Sequence, residues 1–171
     1  YALGEAHAIM TYLCQQRSWT DMYPDDLQAR GKVDWYLNFH HRNIRDASSG
    51  MVAPKIRKDL DIPTHDQERA IRIFTSGLTT LNDHPLANGR YIAGDRLTIA
   101  DLSAYAEIGQ LQPQFTNLFN YGRFPNVQRW LAEMHQTPFH DEAHVVLQEI
   151  GDISQEAPSM DKVRSANVKA I

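Results

Sequence analysis

Apolar residues recur every three or four positions along most of this chain, the spacing that puts them on one face of an α-helix. Ala6, Ile9, Met10 and Leu13 lie on adjoining rows and predict a short helix from about Glu5 to Cys14, while residues 15–26, with Pro24 among polar groups, read as a connector. Val33, Leu37, Ile44 and Met51 predict one long helix from about Leu27 to Met51, with Pro54 just beyond its end. Ile71, Phe74, Leu78 and Leu81 form the stripe of another, opening at Thr64 with Gln67 in the capping-box position and ending near His84 and Pro85. Val127, Trp130, Leu131 and Met134 follow Pro125, which suits a first helical turn. Thr137 and Pro138 open a last helix, with Asp141 and Glu142 in its first turn and Gly151 as its stop. No alternating strand pattern extends beyond a few residues, so the fold class is all-α, a helical bundle. Beyond about residue 158 the mostly polar tail, carrying Lys162, Arg164 and Lys169, is expected to be disordered.

Residues 91–103 carry the sharpest local signal. Thr98 is an N-cap residue and Asp101 follows three positions later, so the hydroxyl and the carboxylate can each accept from the other's backbone N–H, a short-armed capping box. Leu97 and Leu102 flank it as the matching hydrophobic staple. This is a statement about how a helix starts, not about chemistry.

Composition narrows the function. At 171 residues and 42% hydrophobic, the chain can bury one sizeable core. A net charge of -4 gives no case for nucleic-acid binding, and no apolar run approaches the roughly 20 residues needed to cross a bilayer. Charge is nevertheless uneven: residues 40–58 hold Arg42, Arg45, Lys55, Arg57 and Lys58 against Asp46 alone, whereas residues 133–161 hold acids and no Lys or Arg. A basic segment of this kind reads either as solvated helix faces or as a wall facing an anionic ligand. Cys14, the single cysteine, sits among apolar neighbours and reads as a buried structural thiol in a reducing compartment. The eight histidines offer no metal-binding spacing: His40 and His41 are adjacent, and His135 and His140 straddle Pro138, so no metal site is expected. Gly-rich phosphate loops and nucleophile elbows are also absent.

The string Gly94-Asp95-Arg96-Leu97-Thr98-Ile99-Ala100-Asp101 closely resembles the start of the sixth helix of the glutathione S-transferase family. Residues 3–13 resemble the last helix of that family's thioredoxin-like N-terminal domain, and the rest is similar to its all-α C-terminal domain. The opening Val33-Asp34-Trp35-Tyr36-Leu37 and the His40 to Arg45 run resemble the theta and related classes. The resemblance implies residues 1–14 as the end of the first domain, 15–26 as linker, 27–150 as the C-terminal domain and 151–171 as tail. It implies glutathione as co-substrate, small electrophiles as partners, a homodimer through the long helix and the Thr64 helix, and a cytoplasmic setting.

Two places carry the implied chemistry. Glu5 matches the family's acidic residue for the γ-glutamyl end of glutathione, where a carboxylate pairs with the ammonium and free N–H groups at a helix start attract the carboxylate. Ala6 stands where the family has serine, so only its backbone N–H remains for that role. His41, Arg45 and Ser49, spaced four apart on the expected long helix, share one face, and Arg45 aligns with an arginine that faces the electrophile. A guanidinium there stabilises a leaving or developing anion. The hydroxyl that activates the glutathione thiol belongs to the family's N-terminal domain, so no catalytic residue is assigned in this chain. The alternative is a non-catalytic interaction module of the elongation factor 1B gamma type, which reuses the same fold. Ala6 leans toward the module, Glu5 and the His41 face toward the enzyme.

Overall fold

The computed structural model describes residues 1–169, and every element among them is helical. The order is α1 (Ala6–Arg17), α2 (Leu27–Asn43), a π-helical segment (Ser48–Val52), α3 (Ala53–Ile56), α4 (Thr64–Asp83), α5 (Pro85–Asn88), α6 (Ile99–Ile108), a 3-10 turn (Gly109–Leu111), α7 (Pro125–Met134), α8 (His140–Ala143), α9 (Val145–Ile150) and α10 (Met160–Lys169). The all-α expectation holds, with a lone bridge between Tyr91 and Gly94 the only extended pairing among the described residues.

Helix α6 is the axis of the bundle. Eight of its ten residues are buried, so each polar side chain it carries must find a partner inside the protein. The capping box at its start is formed: the Thr98 N–H donates to the Asp101 carboxylate at 3.0 Å, and the Thr98 hydroxyl accepts from the Ala100 N–H at 3.3 Å. Asp101 does more than cap. Its carboxylate also accepts from the Ile92 N–H at 2.9 Å and the Trp130 indole N–H at 3.0 Å, tying the preceding loop and α7 to the helix. Burial raises its pKa despite those three donors and a fourth, the Thr98 hydroxyl at 3.2 Å. Around α6 pack Val33, Tyr36 and Leu37 of α2, Phe74, Leu78 and Leu81 of α4, and Val127 and Trp130 of α7, all buried. Helix α7 begins at Pro125, and its free N–H groups are capped from another helix, the Asn82 amide oxygen accepting from Asn126 at 3.0 Å and Val127 at 3.4 Å.

The boundaries differ from expectation in five places. The long helix stops at Asn43 instead of running to Met51: the Arg45 N–H reaches back five residues to the His40 carbonyl at 3.0 Å, and a π-helical segment follows. Gly50 in that segment lies so close to α4 that an added Cβ would stand 2.3 Å from the Ala70 Cβ. Thr64 does not cap α4; Pro63 occupies the N-cap, Thr64 is the first helical residue, and Gln67 donates instead to the Ile62 carbonyl at 2.8 Å. Ile71, expected in the buried stripe of α4, is 39% exposed. The 137–151 stretch is split into α8 and α9 at His144, and Gly151, at φ 65°, ends α9 as expected. Finally, the tail is ordered through Lys169. Ile150, Ile153 and Ala166 form a small second core, the Lys162 ammonium donates to the Ile150 carbonyl at 2.6 Å, and Lys55 donates to the Ser154 carbonyl at 2.9 Å. A few apolar residues and two lysine clamps outweigh the polar average of the segment.

Candidate functional site

Helix α1 starts at an unusual backbone. Glu5, its N-cap residue, has φ 67° and ψ 117°, a conformation that costs a non-glycine residue of order 1–3 kcal/mol. Its side chain makes no capping bond, so the carboxylate is not consumed by its own helix. Glu5 and Ala6 are both exposed, and the first N–H groups of α1 have no intrahelical partner. Carboxylate and helix start together form a small ditopic site, one part for a cation and one for an anion.

Directly behind it lies a cluster of imidazoles. The His7 ring packs against His41 at 4.6 Å between centroids and edge-on to His40 at 4.9 Å. His7 Nε2 hydrogen-bonds the Ser103 hydroxyl of α6 at 2.7 Å, and His40 Nδ1 meets the Tyr36 hydroxyl at 3.1 Å. Burial, then the neighbouring His7, His41 and Arg45, pushes the His40 pKa down to about 3, so it is neutral at pH 7. His7 is lowered too, chiefly by burial and then by His41, with Glu5 raising it and Arg45 lowering it. His7 of α1 thus packs on the His40 and His41 rings near the end of α2, which is how the α1 start and the α2 end meet.

Arg45 lies just past the end of α2 and pairs with Glu107 of α6, whose carboxylate also accepts from the Ser48 hydroxyl. Gln110 donates to Ser48 at 2.9 Å and to Glu107 at 3.2 Å. Glu107 is buried, whereas 63% of the Arg45 side chain remains exposed, so the guanidinium is anchored at one edge and open at the other. The expected row of His41, Arg45 and Ser49 is only partly assembled. His41 packs on His7, Arg45 pairs with Glu107, and Ser48 rather than Ser49 joins that network. Ser49 is exposed and its hydroxyl donates to the Asp46 carbonyl at 3.2 Å. His40 is a buried packing residue, as expected, and so is Cys14.

The pattern along the sequence does not single out several participants, among them His7, Ser48, Ser103, Glu107 and Gln110. Glu107 has a readable signal, an acid flanked by Ala106 and Ile108 in a mostly apolar helix, which demands a partner. A second histidine group also gathers, with His135 4.2 Å and His144 4.4 Å from His140 between ring centroids. Both His140 nitrogens are engaged, by the Tyr105 hydroxyl at 2.8 Å and Asp141 at 2.9 Å. No group of three or more metal-binding side chains stands in ligating geometry among the described residues.

Residues 66–138 match the family model of the glutathione S-transferase C-terminal domain. The chain is 34% identical over 134 residues to glutathione S-transferase theta-2 of Rattus norvegicus, a match covering 76% of this chain and 54% of that protein. Its fold is similar to human glutathione transferase theta-2, solved in complex with glutathione and an unknown ligand, with a TM-score of 0.72, 26% identity and coverage of 99% of this chain and 74% of that one. The elongation factor 1-gamma glutathione-transferase-like domain of Saccharomyces cerevisiae shares the fold alone, with a TM-score of 0.70 at 18% identity over 93% of this chain and 73% of that one. The helical bundle is therefore of the glutathione S-transferase C-terminal domain type. The chain belongs to that family, on its theta-like side, and spans about half the length of the rat relative.

Proposed function

We propose that this chain supplies the electrophile-binding side, and the γ-glutamyl end of the glutathione site, of a theta-like glutathione transferase that joins the glutathione thiol to small electrophiles. The observation that carries the reading is the packing of His7, in the first turn of α1 just after Glu5, on His41 of α2, which brings the α1 start beside the α2 end that Arg45 follows. The Glu5 carboxylate pairs with the glutathione ammonium, and the Ala6 N–H at the helix start receives its α-carboxylate. Absence of the serine hydroxyl at position 6 weakens that hold by something like 1–2 kcal/mol, the worth of one hydrogen bond to a charged group. Arg45, fixed on Glu107, presents its open edge to the electrophile, where it stabilises the anion that leaves or develops as the sulfur adds. His41 and His7 set the wall beside it. The thiol-activating hydroxyl is carried by the thioredoxin-like domain of the whole protein, and two copies associate through α2 and α4.

The test compares the whole protein with its Arg45→Ala variant under conditions where both are folded. Turnover with a model electrophile falls tenfold or more while the glutathione KM changes little. Unchanged turnover removes Arg45 from the electrophile wall. The chain alone, residues 1–171, is expected to conjugate glutathione at no measurable rate, and a rate near that of whole transferases would overturn the division of labour.

A further inference from the structure

A cleft of about 710 Å³ opens between the connector following the 3-10 turn and the outer face of α7, away from Glu5 and Arg45. That volume is in the usual range for small-molecule sites, roughly 300–1,000 Å³. Its floor is apolar, with Phe119 and Leu131, and its rim is amide: Gln114, Asn117, Asn120 and, from α7, Gln128. Among the described residues no Lys, Arg, Asp or Glu lines it.

Protein hydrogen bonds orient three of the four rim amides. Gln114 donates through Nε2 to the Gln112 oxygen at 2.8 Å and also meets the His135 ring, which turns its own oxygen outward as an acceptor. Asn117, held in the left-handed region at φ 54°, donates through Nδ2 to Asp152 at 2.7 Å, again leaving an oxygen. Asn120 is fixed the opposite way, its oxygen accepting from the Gly122 N–H at 2.8 Å and its Nδ2 remaining as a donor. Gln128 is exposed on α7 and free to rotate. The rim therefore presents two set acceptors, one set donor and one adaptable amide over an apolar floor.

We infer that this cleft binds an uncharged, hydroxyl-rich ring, a mono- or disaccharide in chemical class. Each hydroxyl both donates and accepts, so neighbouring hydroxyls satisfy Gln114, Asn117 and Asn120 together, while the C–H face of the ring covers Phe119 and Leu131. A purely apolar occupant leaves the oriented amides without partners, and an ion finds no opposite charge. The acidic 133–161 segment alongside further disfavours an anion.

Saturation-transfer NMR on this chain, with methyl glucoside and maltose as neutral probes and glucuronate as the charged control, tests the site at about 10 mM ligand, the scale of weak sugar affinities. Transfer to the neutral probes and not to glucuronate is expected. Ala132→Phe, which fills the cleft from α7, abolishes it, and Gln114→Ala and Asn120→Ala each weaken it about tenfold, the worth of one hydrogen bond. No transfer to either neutral probe, equal transfer to glucuronate, or undiminished transfer in folded Ala132→Phe overturns the inference. Should Ala132→Phe fail to fold by circular dichroism, unaltered binding in both alanine variants overturns it equally.

Discussion

Arg45 and Glu107, 62 positions apart in sequence, form an ion pair in which the carboxylate is buried and the guanidinium is open to solvent at its outer edge. The pair joins the end of α2 to the central helix, so Arg45 is held by the fold at one edge while its other edge stays open. Arg45→Ala leaves the buried carboxylate with only Ser48 and Gln110, at an expected cost of about 1–3 kcal/mol. Glu107→Gln keeps the shape and Gln's acceptor for Ser48, and should cost about 1 kcal/mol. Urea unfolding measures both as lower midpoints at unchanged slope. An unaltered midpoint in Arg45→Ala would show that the pair contributes nothing to the fold.

Acid weakens the fold through His40. Its folded pKa of about 3 lies below the unfolded value of 6.5, so the unfolded chain binds the proton first. The stability carried by neutral His40 is fully present above pH 6.5 and is lost as pH falls toward about 3. Over that window one proton contributes a slope of up to about 1.4 kcal/mol per pH unit. Urea titrations of the protein and of His40→Gln at pH 7, 6 and 5, on the order of unit steps, should therefore converge as pH falls. Parallel stability curves would contradict the assignment.

Gly50 permits the π-helical segment to press on α4. Gly50→Ala places a methyl group where the Ala70 Cβ already stands, at 2.3 Å, and is expected to destabilise by about 1–3 kcal/mol. Ala70→Gly in the same chain should recover part of this, less the roughly 1 kcal/mol a glycine costs inside a helix. Additive losses in the double variant, read from thermal midpoints, would show that the two residues do not touch.

Local patterns exposed much of this fold and less of the site. Thr98, Asp101 and Pro125 reveal helix starts because their roles are satisfied within a few residues, whereas Asn82, which caps α7 from α4, carries no local signature. The break after Asn43 was hidden because the apolar spacing from Val33 to Met51 fits an unbroken helix equally well, and the close approach of Gly50 to Ala70 is a tertiary fact. Ser48, three residues after Arg45, takes the place in the network that a spacing of four assigns to Ser49. Glu5 and Arg45 were legible through family resemblance, and the structure adds what spacing cannot encode: the imidazoles between them and the Glu107 anchor. The tail was misread because an average of polarity cannot weigh Ile150, Ile153 and Ala166 packing together.

The proposed hold on the γ-glutamyl end of glutathione rests on the strained turn at Glu5 and the start of α1. The most direct measurement is the glutathione KM of the whole protein and of its Glu5→Gln and Ala6→Ser variants, at saturating electrophile. Glu5→Gln is predicted to raise KM about tenfold or more by removing the partner of the ammonium, and Ala6→Ser to lower it several-fold by restoring a donor to the carboxylate. A glutathione KM that moves in neither variant, with both proteins folded, would contradict the account.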